Sequence, residues 1–259
     1  MKIQEARKLS TTYPRIIRDY PERTLEHPNH MKLYREATHD GRAGHIKGLI
    51  MNCLNKRIYN EIKLGKNEEK IYSLIINQVI ARHVPNQSSV LNPHKGIILS
   101  GSVGVGKTTF LESVAEAEQY LVNVLRNPTM EHSEEALSQA LKARYTVSVP
   151  EERRLIIANS SIKISQDLIH SPMLFDEFGD TGDDNIKFMG NTFNFVEDVL
   201  YKRHQQYVKA NLNGIMPAIT MLTTNLTKKE IIERYSLKVA DRLFEMCDIV
   251  EWEGESKRK

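Results

Sequence analysis

The chain has 259 residues, 40% hydrophobic and 27% charged, with 36 Lys and Arg against 33 Asp and Glu for a formal net charge of +3. That length suits one large domain, or a medium domain with a small companion, and its composition excludes a disordered tail, a fibrous chain and a disulfide miniprotein. Two cysteines, Cys53 and Cys247, make neither a zinc cluster nor a disulfide framework, so a reducing, cytoplasmic setting is expected. The opening MKIQEARKLS lacks the apolar run of a secretory signal, and no window approaches the ~18 apolar residues of a membrane helix, so no membrane contact is expected.

Taken in chain order, residues 1–25 carry Pro14 and Pro21 and read as irregular chain or short helix. From Ala43 to His83 apolar residues recur at helical spacing, as Ile46, Leu49 and Ile50, then Ile71, Leu74, Ile75 and Val79. The run Lys63–Lys70 turns the chain between two helices. Residues 84–95, polar and with two prolines, read as a linker. Beyond them the pattern alternates. Gly96–Ser100 has the short apolar run of a buried parallel strand, and a helix follows from Lys107 to Gln119. Ser133 caps a predicted helix SEEALSQALKARY. Met173–Asp176 is a second strand, Asn185–Lys209 a long helix, and Pro217–Thr223 a third strand. The segments TKKEIIERY and SLKVADRLFEMC are two helices, and Asp248–Trp252 a last strand. Strands alternating with helices imply an α/β fold whose parallel sheet is covered on both faces. No internal repeat is evident.

The small net charge conceals a division. Residues 1–95 hold 17 Lys and Arg against 9 Asp and Glu, net +8, and six of the nine histidines; residues 96–259 hold 19 against 24, net −5. Two readings stand: an N-terminal part that meets nucleic acid or an acidic protein face, or a solvated helical surface that happens to be basic.

The most specific motif is Gly101-Ser102-Val103-Gly104-Val105-Gly106-Lys107-Thr108, a G-x-x-x-x-G-K-[ST] phosphate loop between a strand and a helix. Its glycines let successive backbone N–H groups turn inward on phosphate oxygens, and the N-terminus of the following helix adds partial positive charge. Lys107 reaches the β- and γ-phosphates, Thr108 enters the Mg²⁺ shell, and Thr109 completes the nucleotide-binding run. Such a loop needs an acid at the tip of a neighbouring buried strand, and Met173-Leu174-Phe175-Asp176-Glu177 supplies one: Asp176 for Mg²⁺, Glu177 to polarise an attacking water. A kinase has no use for a water-activating glutamate, so the pair points to ATP hydrolysis. The strand ending Leu222-Thr-Thr-Asn225 closes on polar residues, of which Asn225, with Thr224 as the alternative, can orient water or report nucleotide state. Asn225 can instead be read as part of the N-cap region of the next helix.

Together these residues resemble the AAA+ ATPases, and within them the DnaC-type helicase loaders and IstB-type transposition ATPases. The resemblance covers residues 96–259 and rests on GSVGVGKTT, LFDEFGD, LTTNLTKKEIIERY and VADRLFEMCDIVEWEGESKR. It implies a P-loop AAA+ (ASCE) three-layer αβα core with a parallel sheet and no C-terminal helical lid, since the chain stops one strand after Arg242. A small, mostly helical N-terminal domain (1–83) and a linker (84–95) precede the ATPase domain (96–259). The resemblance makes Arg242 an arginine finger acting on a neighbouring subunit's ATP, with Arg234 its nearest competitor; an ion pair with Asp241 or Glu245 is the structural alternative. It also implies ATP and Mg²⁺ as cofactors, a homo-oligomer built through the ATPase domain, single-stranded DNA as a ligand, and a replicative helicase, or a transposase, bound by the N-terminal domain. The terminal Gly254-x-Ser256-x-Arg258 fits the same group. A tryptophan expected after the Asn225 strand in the IstB type is missing, which favours the loader. Residues 120–170 match poorly, and the helix after Ser133 is either a core helix or an inserted one used for filament packing. A transposition regulator acting on duplex DNA, and a P-loop NTPase unconnected with DNA, are the alternatives.

Overall fold

The computed structural model describes residues 39–57, 65–126, 146–148, 167–179, 185–188, 191–254 and 256. The chain divides into two compact units, residues 1–93 with 112–143 and residues 94–111 with 144–259. The stretch at residues 1–25 and the helix expected after Ser133 lie outside the described residues.

In the first unit, helices α1 (His39–Arg57) and α2 (Lys66–His83) bury one apolar stripe each: Ile46, Leu49, Ile50, Cys53 and Leu54 on α1, and Tyr72, Ile75, Ile76, Val79 and Ile80 on α2. Both stripes follow the i, i+3, i+4, i+7, i+8 spacing that places side chains on one helix face. Helix α3 (Lys107–Arg126) begins in the second unit and continues into the first. Its carboxylates there receive the basic residues at the ends of α1 and α2. Arg57 pairs with Glu112 at 3.4 Å and with Glu116. Glu118, fully buried, takes Arg82 and, at 2.8 Å, the His83 ring. Arg82 Nε also donates to the Pro93 carbonyl at 2.7 Å and Gln78 Nε2 to that of Asn92 at 2.8 Å, so the polar segment after α2 is tied back to that helix.

In the second unit, five strands form a wholly parallel sheet in the order β2-β3-β6-β1-β7. They are β1 (Gly96–Gly101), β2 (Thr146–Ser148), β3 (Met173–Asp176), β6 (Thr220–Thr224) and β7 (Cys247–Trp252). Ile98, Met173, Phe175 and Leu222 join one core with Val196, Val199 and Leu200 of helix α5 (Phe195–Leu212) and with Ile231, Tyr235, Leu243 and Met246 of helix α6 (Lys228–Met246). The alternate strand residues Ile97, Leu99, Leu174 and Met221 are equally buried. Both sheet faces are therefore covered, the burial that a three-layer αβα core requires. A short helix, α4 (Asp167–His170), precedes β3. Arg203 of α5, itself buried, pins the start of two strands: it donates to Thr220 Oγ1 (2.8 Å) and to the carbonyls of Ile219 (2.9 Å) and Ser171 (3.1 Å).

The long helix expected from Asn185 begins instead at Phe195. Before it, β4 (Asn185–Phe188) and β5 (Asn191–Asn194) pair antiparallel as a separate two-stranded sheet. The reason is local. Polar and apolar residues alternate with period two over Asn185-Ile186-Lys187-Phe188, and Asn194 caps α5 by accepting the Glu197 N–H at 3.0 Å. Helix α6 is broken at Ser236 (φ 67°), which divides it into the two helices expected from the sequence. Among the described residues no helix is long and apolar enough to cross a membrane.

Burial and the Arg82 charge push the His83 pKa down to about 3, so the folded ring is neutral and donates to Glu118 through Nε2–H. An unfolded histidine (pKa ~6.5) takes up a proton across that interval, so this residue makes stability rise with pH from about 3 to about 6.5. Urea midpoints of the helical signal measured across that range should follow the slope, and His83→Asn should flatten it.

Candidate functional site

The site lies at the C-terminal ends of β1, β3 and β6, where a parallel sheet directs its loops to one edge. Strand β1 ends at Gly101, paired in register with Trp252 of β7. Only glycine fits there, because φ is 151° and a Cβ would stand 2.1 Å from the Trp252 carbonyl oxygen. The loop then runs through the exposed Ser102 and Val103 and the buried Val105, with Gly104 and Gly106 at φ 82° and 104°, and enters α3 at Lys107. Thr108 and Thr109 lie in the first turn of that helix. Phe110 and Trp252, both fully buried, meet edge to face with ring centroids 6.3 Å apart and floor the loop.

Lys107 is buried, and its ammonium donates to the carbonyls of Gly101 (2.7 Å) and Ser102 (2.9 Å) and to Asn225 Oδ1 (2.8 Å). Thr108 Oγ1 donates to Asp176 Oδ1 at 2.8 Å. Lys107, Thr108, Asp176 and Asn225, four residues picked out in the sequence from three separate segments, are thus joined by direct hydrogen bonds. Glu177 follows Asp176 with an exposed side chain and a left-handed backbone, φ 57°. Asn225 does not cap α6: Thr227 does, in a capping box with Glu230, which leaves the Asn225 amide oxygen to Lys107. Thr224 is not the alternative to Asn225 either. Its hydroxyl is buried, donates to the Phe178 carbonyl at 2.6 Å and accepts the Leu226 N–H at 3.0 Å.

Arg242 stands apart from this cluster. Its guanidinium lies over the ring of Tyr201 on α5, 4.5 Å from the centroid, and among the described residues it forms no ion pair. The alternative reading, an ion pair with Glu245, is not formed, and Glu245 instead holds His204 at 2.8 Å. Arg234 lies over Tyr235, 5.5 Å from that ring's centroid. Two hydroxyls at the strand tips went unnoticed in the sequence: Ser100, which donates to the Leu226 carbonyl at 2.7 Å, and Thr223. Their signal was a run of small hydroxyl residues ending two buried strands, ordinary in composition and distinctive only in position.

A strand order that places β6 between the loop-bearing β1 and the acid-bearing β3 defines a P-loop α/β fold of the additional-strand kind. Among solved structures, the crystal structure of the DnaC helicase loader is similar over 78% of this chain and 97% of that one, with a TM-score of 0.43 and 14% sequence identity. No family model and no curated protein matches the chain.

The fit at Gly101 carries a test. Gly101→Ala forces a Cβ into the Trp252 carbonyl and should cost about 2 kcal/mol or more in urea unfolding. Because Trp252 is the one tryptophan of the chain, a red shift of the native emission should report the same disturbance.

Proposed function

We propose that this protein is a Mg²⁺-dependent ATPase of the helicase-loader type. The observation that carries the ATPase reading is the convergence of the phosphate loop, the carboxylate strand and the β6 tip, expressed in the Lys107–Asn225 and Thr108–Asp176 bonds. The donor set suits the ligand. The loop offers backbone N–H groups at a helix N-terminus and a buried ammonium, a combination matched to phosphate oxygens. Thr108 and Asp176 present adjacent hard oxygens for Mg²⁺. Among the described residues no group of three or more His, Cys, Asp or Glu is gathered for a metal, and a magnesium ion completed by substrate phosphates needs none. Bound magnesium supplies charge neutralisation on the β- and γ-phosphates.

The chain's own residues do the rest. The loop amides and Lys107 hold the triphosphate. Glu177 accepts the proton of the attacking water as its oxygen bonds to the γ-phosphorus, and the bond to the β,γ-bridging oxygen breaks with its electron pair leaving on ADP. Asn225 orients that water. Arg242, held over a tyrosine ring without a carboxylate partner among the described residues, serves the site of an adjoining subunit, which makes the working unit a head-to-tail oligomer.

The loader reading is finer and rests on the resemblance of residues 96–259, above all VADRLFEMCDIVEWEGESKR. In it the oligomer binds single-stranded DNA, mainly through phosphate contacts, and residues 1–83 bind a replicative helicase.

Lys107→Ala should abolish ATP binding, whereas Glu177→Gln should retain ATP and stabilise oligomers while turnover falls by about 10²-fold or more. Mixing Arg242→Ala with Lys107→Ala protein should restore part of the activity, since each supplies what the other lacks; no rescue would place Arg242 outside the shared site. Single-strand binding should weaken steeply with salt and exceed duplex binding. The reverse preference, with capture of a transposase in place of a helicase, would make the protein a transposition regulator.

A further inference from the structure

We infer that Thr223 is the positioning residue of this site: its one hydroxyl sets the Asp176 carboxylate and the Glu177 backbone together, so that the water-activating acid is held ready from the neighbouring strand. The inference rests on the ATPase reading above and assigns a role to a residue outside the phosphate loop and the acid pair.

Thr223 lies in β6, 2% exposed, beside the tip of β3. A threonine hydroxyl has one hydrogen to give and lone pairs to receive, and here both capacities are used on consecutive residues. Oγ1 donates to Asp176 Oδ1 and accepts the Glu177 N–H at 3.2 Å. The Thr223 carbonyl accepts from the next residue again, Phe178 N–H, at 2.9 Å. One residue of β6 therefore grips 176, 177 and 178 in succession.

The grip matters because of the backbone it holds. Glu177 has φ 57°, a conformation that side-chain-bearing residues seldom adopt and that persists where surrounding bonds impose it. That turn ends the strand and exposes the Glu177 side chain, while Phe178 goes back into the core, stacked on Tyr235 with centroids 4.7 Å apart. The Thr108 hydroxyl reaches the same Asp176 Oδ1 from the phosphate loop, so the carboxylate is oriented from both sides. Two residues beyond Thr223, Asn225 holds Lys107. A shift of the β6 tip at Asn225 is thereby passed through Thr223 to the acid pair. Valine, which has the same shape and no hydroxyl, would fill the space and lose both bonds.

The experiment compares wild type, Thr223→Val, Thr223→Ser and Glu177→Gln in full-length protein, reading ATP turnover, KM and the amide exchange of Glu177. Thr223→Val is expected to lower kcat by about 10- to 100-fold with KM for ATP within about twofold, the signature of a misplaced reacting group rather than of lost binding. Its Glu177 amide should exchange faster. Thr223→Ser keeps the hydroxyl and should remain within about threefold of wild type on kcat, with the amide still protected. Equal turnover in wild type and Thr223→Val would overturn the inference alone, as would an equal loss in the valine and serine variants, or a KM that rises in proportion to the fall in kcat/KM. A wild type without turnover, or Glu177→Gln as active as wild type, would overturn the ATPase reading first and this inference with it.

Discussion

The two parallel ladders of β6, to β1 on one side and to β3 on the other, are the constraint from which the site follows. They place the phosphate loop and the carboxylate strand one strand apart, and β6 itself contributes at its tip the side chains that bridge them. The register is held by burial. In a sheet covered on both faces a slip of one residue would turn Leu222 out of the α5–α6 core and bring Thr223 in. With Ile98↔Leu222 and Phe175↔Leu222 in register, the tips finish level, and Asn225 and Thr223 reach Lys107 and Asp176 at hydrogen-bond distance. At the other end of the strands Arg203 fixes the starts of β3 and β6 by binding the carbonyls that precede them. The ladder is thus held at both ends by buried polar groups whose partners are mostly backbone, an arrangement that limits sliding along the strand direction.

The helical unit obeys a different economy, in which charge is matched inside the fold. The excess of +8 in residues 1–95 suggests a surface for an acidic partner, but two of those arginines, Arg57 and Arg82, are engaged by Glu112, Glu116 and Glu118 from much later in the chain. Counted over residues 1–93 with 112–143, the compact unit carries 18 Lys and Arg against 15 Asp and Glu, net +3. His83 adds no charge near neutrality, because its ring is buried against Arg82. Electrostatic attraction from this unit is therefore weaker than the linear charge map implies, and any partner it recognises must be read through shape as well as charge.

Several elements could be read directly because local chemistry alone decides them. The glycine pattern and Lys107-Thr108 of the phosphate loop, and the apolar triplet before Asp176, are signals contained within eight residues or fewer. The pairing of β4 with β5 was missed because a helical reading of Phe188, Phe195 and Val199 outweighed the short period-two pattern, and the cap at Asn194 went unweighed. The partner of Arg242 was missed for another reason. The resemblance directs it to a neighbouring subunit, with an acidic neighbour in sequence as the alternative, and only packing α5 beside α6 brings Tyr201 under its guanidinium and His204 to Glu245.

The sequence by itself determined the class of fold and picked out the glycine loop with Lys107 and the two carboxylates that end β3, since those depend on backbone freedom, side-chain charge and hydrophobic runs that each residue carries with it. Only the tertiary structure decided that Asn225 bonds to Lys107 instead of capping a helix, that Thr223 grips Asp176 at the end of β3 and the two residues after it, and that Arg57 and Arg82 are paired by carboxylates of α3. Those outcomes depend on which atoms meet across separations of 36 to 118 residues, and a hydrogen bond forms only when strand register and helix packing bring donor and acceptor within about 3 Å.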